Sequence, residues 1–169
     1  QIVQRNYSCF PFAWIEDHPN GHDYLICGED YQGQTVIELD TNNRKEALPE
    51  EAKEGWGFCW ADYKYEPTHK MLIVEGCFWA CPYEFRFYDF SDPMSGWPLL
   101  EMEDGIYASY DKKPVEITDD GLIKCFYTDD DVEDREEILA YQLFRREGNQ
   151  LIRIEEWVSE KEKQEREDR

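Results

Sequence analysis

The stretch that decides the fold is residues 58–89, FCWADYKYEPTHKMLIVEGCFWACPYEFRFYD. It contains three short apolar runs separated by turn residues. Residues 12–40, FAWIEDHPNGHDYLICGEDYQGQTVIELD, show the same order about 46 to 49 positions earlier. Three strands per unit at a nearly constant period indicate a repeated antiparallel β-meander. The sequence therefore predicts an all-β protein built from repeated antiparallel meanders.

A β-hairpin is predicted further along the chain, at residues 138–157. Two long runs flank Gly148-Asn149, a dipeptide that tolerates the positive φ of a two-residue turn. If this dipeptide is the whole loop, Leu143 faces Ile154 and Arg145 faces Ile152.

Additional strands are predicted at residues 106–110, 115–118 and 122–127, which continue the meander. Residues 158–169 mix both charge signs and form a short charged tail, expected to be a frayed helix or disordered. We expect a single β-rich domain over residues 1–157, since 169 residues suit one domain.

The two repeated units resemble blades of a WD-repeat-type β-propeller. The resemblance rests on an aromatic entry strand, a middle strand of Leu-Ile type, and an outer strand that ends at Asp40 or at residues 88–93. It covers about 80 residues, and the glycine-histidine signature and Trp-Asp dipeptide of that family are missing. Four blades would need roughly 160 to 180 residues, so a complete ring would barely fit. An open two-sheet structure is therefore preferred, and a small propeller-like ring is the alternative. The resemblance implies a rigid interaction platform.

Charge is the second strong signal in this sequence. Asp and Glu number 39 against 18 Lys and Arg, which gives a net charge of -21. Nucleic acids and anionic membranes both require a basic face, so we expect no direct binding to either. Long-range attraction favours a basic protein partner instead. Many proteins are acidic merely for solubility, and that alternative stays open.

Candidate binding residues fall into an acidic group and an aromatic group. Residues 129–137 carry seven acids, and we expect Asp129, Asp130, Asp131, Glu133 and Asp134 to act as an interaction strip. Trp79 and Trp97 lie in predicted loops, where a large aromatic side chain is harder to bury, and are expected to be exposed anchors. The repeat-matched residues Trp14 and Trp60 are expected to fill the core of each meander.

Metal binding is a separate hypothesis. Cys59, His69, Cys77 and Cys81 offer the thiolate and imidazole ligands that zinc prefers, although their spacing is not a known zinc pattern. A disulfide between Cys77 and Cys81 is another alternative, but free thiols beside buried aromatics are preferred. Residues 18–22, HPNGH, are interpreted as a turn. No cofactor is expected.

The predicted function is therefore a non-enzymatic acidic protein that captures a basic protein, as inhibitors and immunity proteins do. A scaffold that docks partners through aromatic loops and a metal-dependent enzyme are the alternatives. Six scattered cysteines are interpreted as mostly reduced, which favours the cytoplasm. The sequence begins with Gln1 and not with Met, so we expect an upstream piece, which would have room for a leader.

Overall fold

A computed structural model describes residues 11–29, 33–47, 57–78, 83–102, 115–129 and 137–167. Strands dominate these residues, which confirms the predicted all-β class. The chain forms two compact units, residues 1–99 and residues 100–169. The single domain expected over residues 1–157 stays a prediction. No helix in the described part of the chain is both long and apolar enough to cross a membrane.

Unit 1 begins with a four-stranded antiparallel sheet. Its strands are β1 (Phe12–Ile15), β2 (Tyr24–Glu29), β3 (Gly33–Glu38) and β4 (Asn43–Ala47), in the order β1-β2-β3-β4. Each strand pairs antiparallel with the next one in the chain, from which only a few residues of sequence separate it. The first three strands are the predicted meander of residues 12–40, and β4 extends it by one strand.

A second meander follows in the same unit. Its strands are β5 (Phe58–Glu66), β6 (Met71–Phe78) and β7 (Tyr83–Asp89), paired antiparallel in the order β5-β6-β7. A β-bulge at Ala61 separates the pairs Trp60–Gly76 and Asp62–Glu75. Because the bulge inserts one extra residue, Trp60 and Tyr63 lie on the same face of the sheet despite their odd spacing.

The two meanders share one apolar core. It contains Ile15, Tyr24, Ile26 and Val36 from the first sheet and Phe58, Trp60, Tyr63, Leu72, Val74, Tyr88 and Phe90 from the second sheet and its exit. A smaller cluster of Leu25, Cys27 and Ile37 lies on the other face of the first sheet, since successive residues of a strand point to opposite faces.

One of the two predictions for the repeat-matched tryptophans is wrong. Trp60 is buried as expected, but Trp14 is 57% exposed. In β1 it is Ala13 and Ile15 that contact the core, and strict alternation directs Phe12 and Trp14 away from it. The repeat therefore preserves the order of the strands but not which residues of the first strand face inward.

Unit 2 contains a five-stranded sheet in the order β8-β12-β11-β10-β9. Its elements are β8 (Glu101–Met102), β9 (Val115–Ile117), β10 (Ile123–Asp129), β11 (Glu137–Glu147), β12 (Gln150–Val158) and the helix α1 (Glu160–Glu167). β8 pairs parallel to β12, and the other pairs are antiparallel. The strand predicted at residues 106–110 lies outside the described residues.

The hairpin of β11 and β12 turns at Gly148-Asn149 as predicted, with φ of 60° at Gly148. Arg145 pairs with Ile152, which confirms that part of the expected register. Leu143, however, pairs with Glu155 instead of Ile154, because a bulge shifts the register between Leu143 and Phe144. Between the turn and the bulge the predicted pairing is correct. Beyond the bulge the observed pairing is shifted by one residue.

Replacing Gly76 by alanine should destabilise unit 1 strongly. A Cβ atom there would lie 2.3 Å from the carbonyl oxygen of Cys59 and 2.7 Å from the ring of Phe58. Because the nearest obstacle is backbone, the strands must separate, and we expect a loss of about 3 kcal/mol or more. Chemical denaturation of the two proteins measures the difference.

Gly21→Ala is the matched control in the same unit. Gly21 has a φ of 90°, and no heavy atom lies within 4 Å of the position that a Cβ atom would occupy. Only backbone strain of about 1–2 kcal/mol is therefore expected. Equal losses for the two variants would contradict the steric argument.

Candidate functional site

The candidate site is at the end of unit 1 where the turns of both meanders lie together, which we call the loop end. It consists of residues 16–23, 39–42, 67–70 and 90–97. Two hydrogen bonds connect these turns: the Phe90 N–H donates to the Lys70 carbonyl at 2.9 Å, and His18 Nε2 lies 2.9 Å from the Phe90 carbonyl oxygen. The loop end is therefore a connected surface and not a set of independent loops.

His18 is the buried centre of the loop end. Its Nε2–H donates to the carbonyl of Phe90, and its Nδ1 accepts from the backbone N–H of Asn20 at 3.3 Å. The ring contacts Tyr24 and Tyr65, with centroids 5.2 Å away in both cases. Every polar atom of the imidazole thus has a partner within the protein, so His18 is a structural residue.

His22, Glu38 and Asp40 form a polar cluster beside it. The strands β2 and β3 end with the pair Tyr24–Glu38, so His22 and Asp40 lie just beyond the ladder on the two adjoining segments. His22 Nδ1 is 2.8 Å from Asp40 Oδ2, and His22 Nε2 is 3.9 Å from Glu38 Oε2. One imidazole therefore lies between two carboxylates.

Glu38 is held rigidly, with its side chain only 8% exposed. Thr41 Oγ1 donates to Oε1, Asn43 Nδ2 donates to the same atom at 3.2 Å, and the Tyr24 hydroxyl donates to Oε2 at 3.2 Å. The turn that supplies Thr41 requires a left-handed residue, which is Asn42 with φ of 61°. Asparagine tolerates this conformation better than most residues.

Hydrogen bonds within and to the cluster shift the pKa values of all three side chains. The hydrogen bond from Thr41 lowers the pKa of Glu38, and the bond from His22 lowers the pKa of Asp40. The same bond to Asp40 raises the pKa of His22 above its ordinary value. Both carboxylates contribute stability that is lost as the pH falls through their lowered pKa values. His22 contributes stability that is lost as the pH rises through its raised pKa.

The loop end carries four exposed acids, one of which belongs to this cluster. Glu16, Asp17, Asp40 and Asp92 are all exposed. Asp92 is ordered by Ser95, whose hydroxyl donates to Oδ2 at 2.6 Å. The arrangement presents fixed negative charge on a well-ordered surface. Of the site residues predicted from the sequence, Trp97 and His69 belong to the loop end.

Most of the predicted acidic strip lies outside the described residues. The strip residues outside the described part of the chain are Asp130, Asp131, Glu133 and Asp134. The predicted anchor Trp79 and the predicted zinc ligand Cys81 also lie outside it. Asp129 is the last residue of β10, where its backbone pairs with Glu137.

Trp97 lies in unit 1 and is half-buried. It packs against the shared core, with its ring centroid 6.3 Å from that of Phe90. Only part of this side chain is available for the anchor role predicted from the sequence.

The three predicted zinc ligands that the structure describes, Cys59, His69 and Cys77, are not brought together. Cys59 and Cys77 face each other across β5 and β6, but His69 lies in the turn at the opposite end of these strands. Glu66 lies seven positions after Cys59 in β5, a span of roughly 23 Å. His69 Nδ1 pairs with Glu66 at 2.8 Å. Cys59 and Cys77 form no disulfide, and burial raises the pKa of Cys59.

Sequence reasoning misses His22, Glu38 and Asp40 as a group. It assigns residues 18–22 only to a turn, and Glu38 and Asp40 only to the end of a strand. The available signal is the pairing of the two predicted strands, because antiparallel neighbours place the residues flanking their ends side by side. Using that signal requires a register hypothesis for β2 and β3.

Comparisons with known proteins give one relative and no family. The chain is 38% identical over 109 residues to "Uncharacterized protein R762" of Acanthamoeba polyphaga mimivirus. The alignment covers 64% of this chain and 40% of the relative, so the chain spans less than half the length of that protein. No family model matches the sequence, and no solved structure matches it.

Replacing Asp40 by asparagine should lower the pKa of His22 toward its ordinary value. The hydrogen bond to an ionised Asp40 is the main cause of the raised pKa, and a neutral amide does not favour the imidazolium in the same way. NMR titration of the imidazole C–H resonances measures the shift.

Asp119→Asn is the control for that titration. It removes one charge from an exposed turn of unit 2 and should leave the pKa of His22 unchanged. An Asp40→Asn protein whose His22 titrates as in the unmodified protein would show that the pair does not form in solution.

Proposed function

We propose that this protein is a non-enzymatic acidic binding protein that captures a basic protein partner. The observation that carries the proposal is the net charge of -21. A charge of this size raises the rate of encounter with basic proteins and suppresses association with acidic ones. Carboxylates placed where phosphates would otherwise lie would let it compete with nucleic acid for such a partner.

The loop end supports the proposal because its acids are ordered before binding. Asp40 is hydrogen-bonded to His22, and Asp92 is hydrogen-bonded to Ser95. Because these side chains are already held in place, binding a partner would cost less side-chain entropy than it would with unrestrained carboxylates. Asp17 belongs to the same loop end, and its backbone N–H donates to Asp23 Oδ1 at 2.9 Å.

The acidic run of residues 129–137 is the second surface proposed for this function. Its seven acids within nine residues provide the highest local density of carboxylates in the sequence. Runs of like charge often serve as interaction segments. Neutralising the acids of this run and those of the loop end in separate variants distinguishes the contributions of the two surfaces to binding.

Binding to the partner should weaken steeply with salt. Exposed charges are screened over about 10 Å at 0.1 M ionic strength, so raising the salt should slow association on the order of tenfold or more. The test is a pull-down from a lysate of the source organism at low and high salt, followed by mass spectrometry. We expect basic proteins that are retained at low salt and released at high salt.

Three neutralised variants locate the surface. The first carries Asp17→Asn, Asp40→Asn and Asp92→Asn at the loop end; the second carries Asp130→Asn, Asp131→Asn and Asp134→Asn; the control carries Glu116→Gln, Asp119→Asn and Asp120→Asn in the β9–β10 hairpin. Each removes three charges. Loss of capture in the first or second variant, with the control unaffected, identifies the binding surface. Equal capture by all three, or salt-insensitive capture, would contradict the proposal.

A second candidate function, a scaffold that docks partners through aromatic side chains, is favoured by β1. Phe12 is 72% exposed and Trp14 is 57% exposed, and both lie on the same face of this strand. Exposed aromatic residues are common anchors of protein interfaces. The aromatic surface proposed here differs in position from the predicted Trp79 and Trp97.

If β1 is the docking surface, replacing Phe12 and Trp14 by serine should abolish capture at both low and high salt. The lost contacts are apolar, and the hydrophobic effect is not weakened by moderate salt. Ile138 and Ile154 are exposed apolar residues of unit 2, so the double serine variant at those positions is the control. Capture that survives the change at β1 would exclude this alternative.

A further inference from the structure

We propose that His22 and Glu38 bind a divalent transition-metal ion, with Asp40 holding the imidazole in place. The donor atoms of these three residues all lie within 4.8 Å of one another. They belong to a cluster different from the cysteine-based set predicted from the sequence. The inference does not depend on the proposed partner, because it concerns the local geometry of three side chains.

The separation of two donor atoms is close to that of ligands on one metal ion. His22 Nε2 and Glu38 Oε2 are 3.9 Å apart, too far for a hydrogen bond. Two ligands about 2.1 Å from a tetrahedral metal lie roughly 3.4 Å from each other. A side-chain movement of about half an ångström would therefore bring both atoms into coordination distance.

Asp40 supplies the supporting interaction that metal-bound histidines commonly have. Its Oδ2 lies 2.8 Å from His22 Nδ1. Accepting a hydrogen bond from Nδ1–H directs the proton to that nitrogen and leaves the Nε2 lone pair facing Glu38. A carboxylate in this position orients the ring and increases the basicity of the ligating nitrogen.

Glu38 is fixed in advance of metal binding. Thr41 and Asn43 both donate to Oε1, so this oxygen is engaged away from His22. Oε2 accepts the longer bond from the Tyr24 hydroxyl, at 3.2 Å. A carboxylate oxygen has two lone pairs, so Oε2 keeps one for an ion while the rest of the group is immobilised.

The ligand set defines the class of ion. Imidazole favours zinc, iron, cobalt, nickel and copper, whereas a site for magnesium or calcium is built from oxygen alone. The imidazole of His22 is 36% exposed and Asp40 is 52% exposed. Water can therefore reach the ion and complete its coordination. A site with two protein ligands and open positions is expected to bind reversibly.

Titration of the full chain with Co²⁺ tests the proposal. Cobalt occupies zinc-type sites and reports its ligands by its visible spectrum, so thiolate coordination by the cysteines would show as a charge-transfer band. We expect one Co²⁺ per chain by calorimetry, with a spectrum that lacks the thiolate band. His22→Gln should abolish this binding, and Asp40→Asn should weaken it about 10- to 100-fold.

His69→Gln is the matched control, because His69 also pairs with a carboxylate at 2.8 Å at the loop end but belongs to no cluster of three ligands among the described residues. It should bind Co²⁺ as the unmodified protein does. Because His22 is partly exposed, its replacement should leave the protein folded. A thermal melt of each variant without metal checks this. Binding that survives His22→Gln, a thiolate spectrum, or no saturation below about 1 mM would overturn the proposal.

Discussion

The hydrogen bond from the buried imidazole of His18 to the Phe90 carbonyl connects the two meanders of unit 1. Each meander buries an apolar face in the shared core, but apolar packing has no directional preference and would tolerate sliding of one sheet over the other. A buried hydrogen bond does not tolerate such sliding, because breaking it would leave a buried carbonyl unsatisfied at a cost of about 1–3 kcal/mol. This contact fixes the turn of residues 16–23 against the exit of β7. The order of the loop end follows from it.

Aromatic packing offsets the repulsion expected in so acidic a protein. The shared core of unit 1 includes Phe58, Trp60, Tyr63 and Tyr88, and each such side chain buries roughly 150–250 Å². Trp60 lies 5.1 Å from Tyr88 between ring centroids. These contacts are insensitive to the net charge. The carboxylates are therefore free to occupy turns and exposed strand positions without loss of the fold.

The elements that depend on local patterns are predictable from the sequence. Turn residues and short apolar runs locate both meanders, and Gly148-Asn149 locates the C-terminal hairpin. The predictions that are wrong concern which residues of a strand face the core or pair with each other, and a shift of one residue reverses them. The repeat aligns Trp14 with Trp60, but β1 turns its Ala13 and Ile15 toward the core. In β12 the extra Ile154 moves Leu143 opposite Glu155. The cluster of His22, Glu38 and Asp40 escapes prediction for a related reason, since strand register, and not composition, brings these residues together.

The bulge in the hairpin of β11 and β12 also affects how copies of this chain can meet. Bulges bend a strand and increase its right-handed twist. Stacked fibrillar sheets require flat strands in identical register, with low net charge. A hairpin with a bulge at Ile154 and with Glu155 and Glu156 beside it meets these requirements poorly. The irregularity that displaces the register thus disfavours the assembly of β11 and β12 from different copies into amyloid-like stacks.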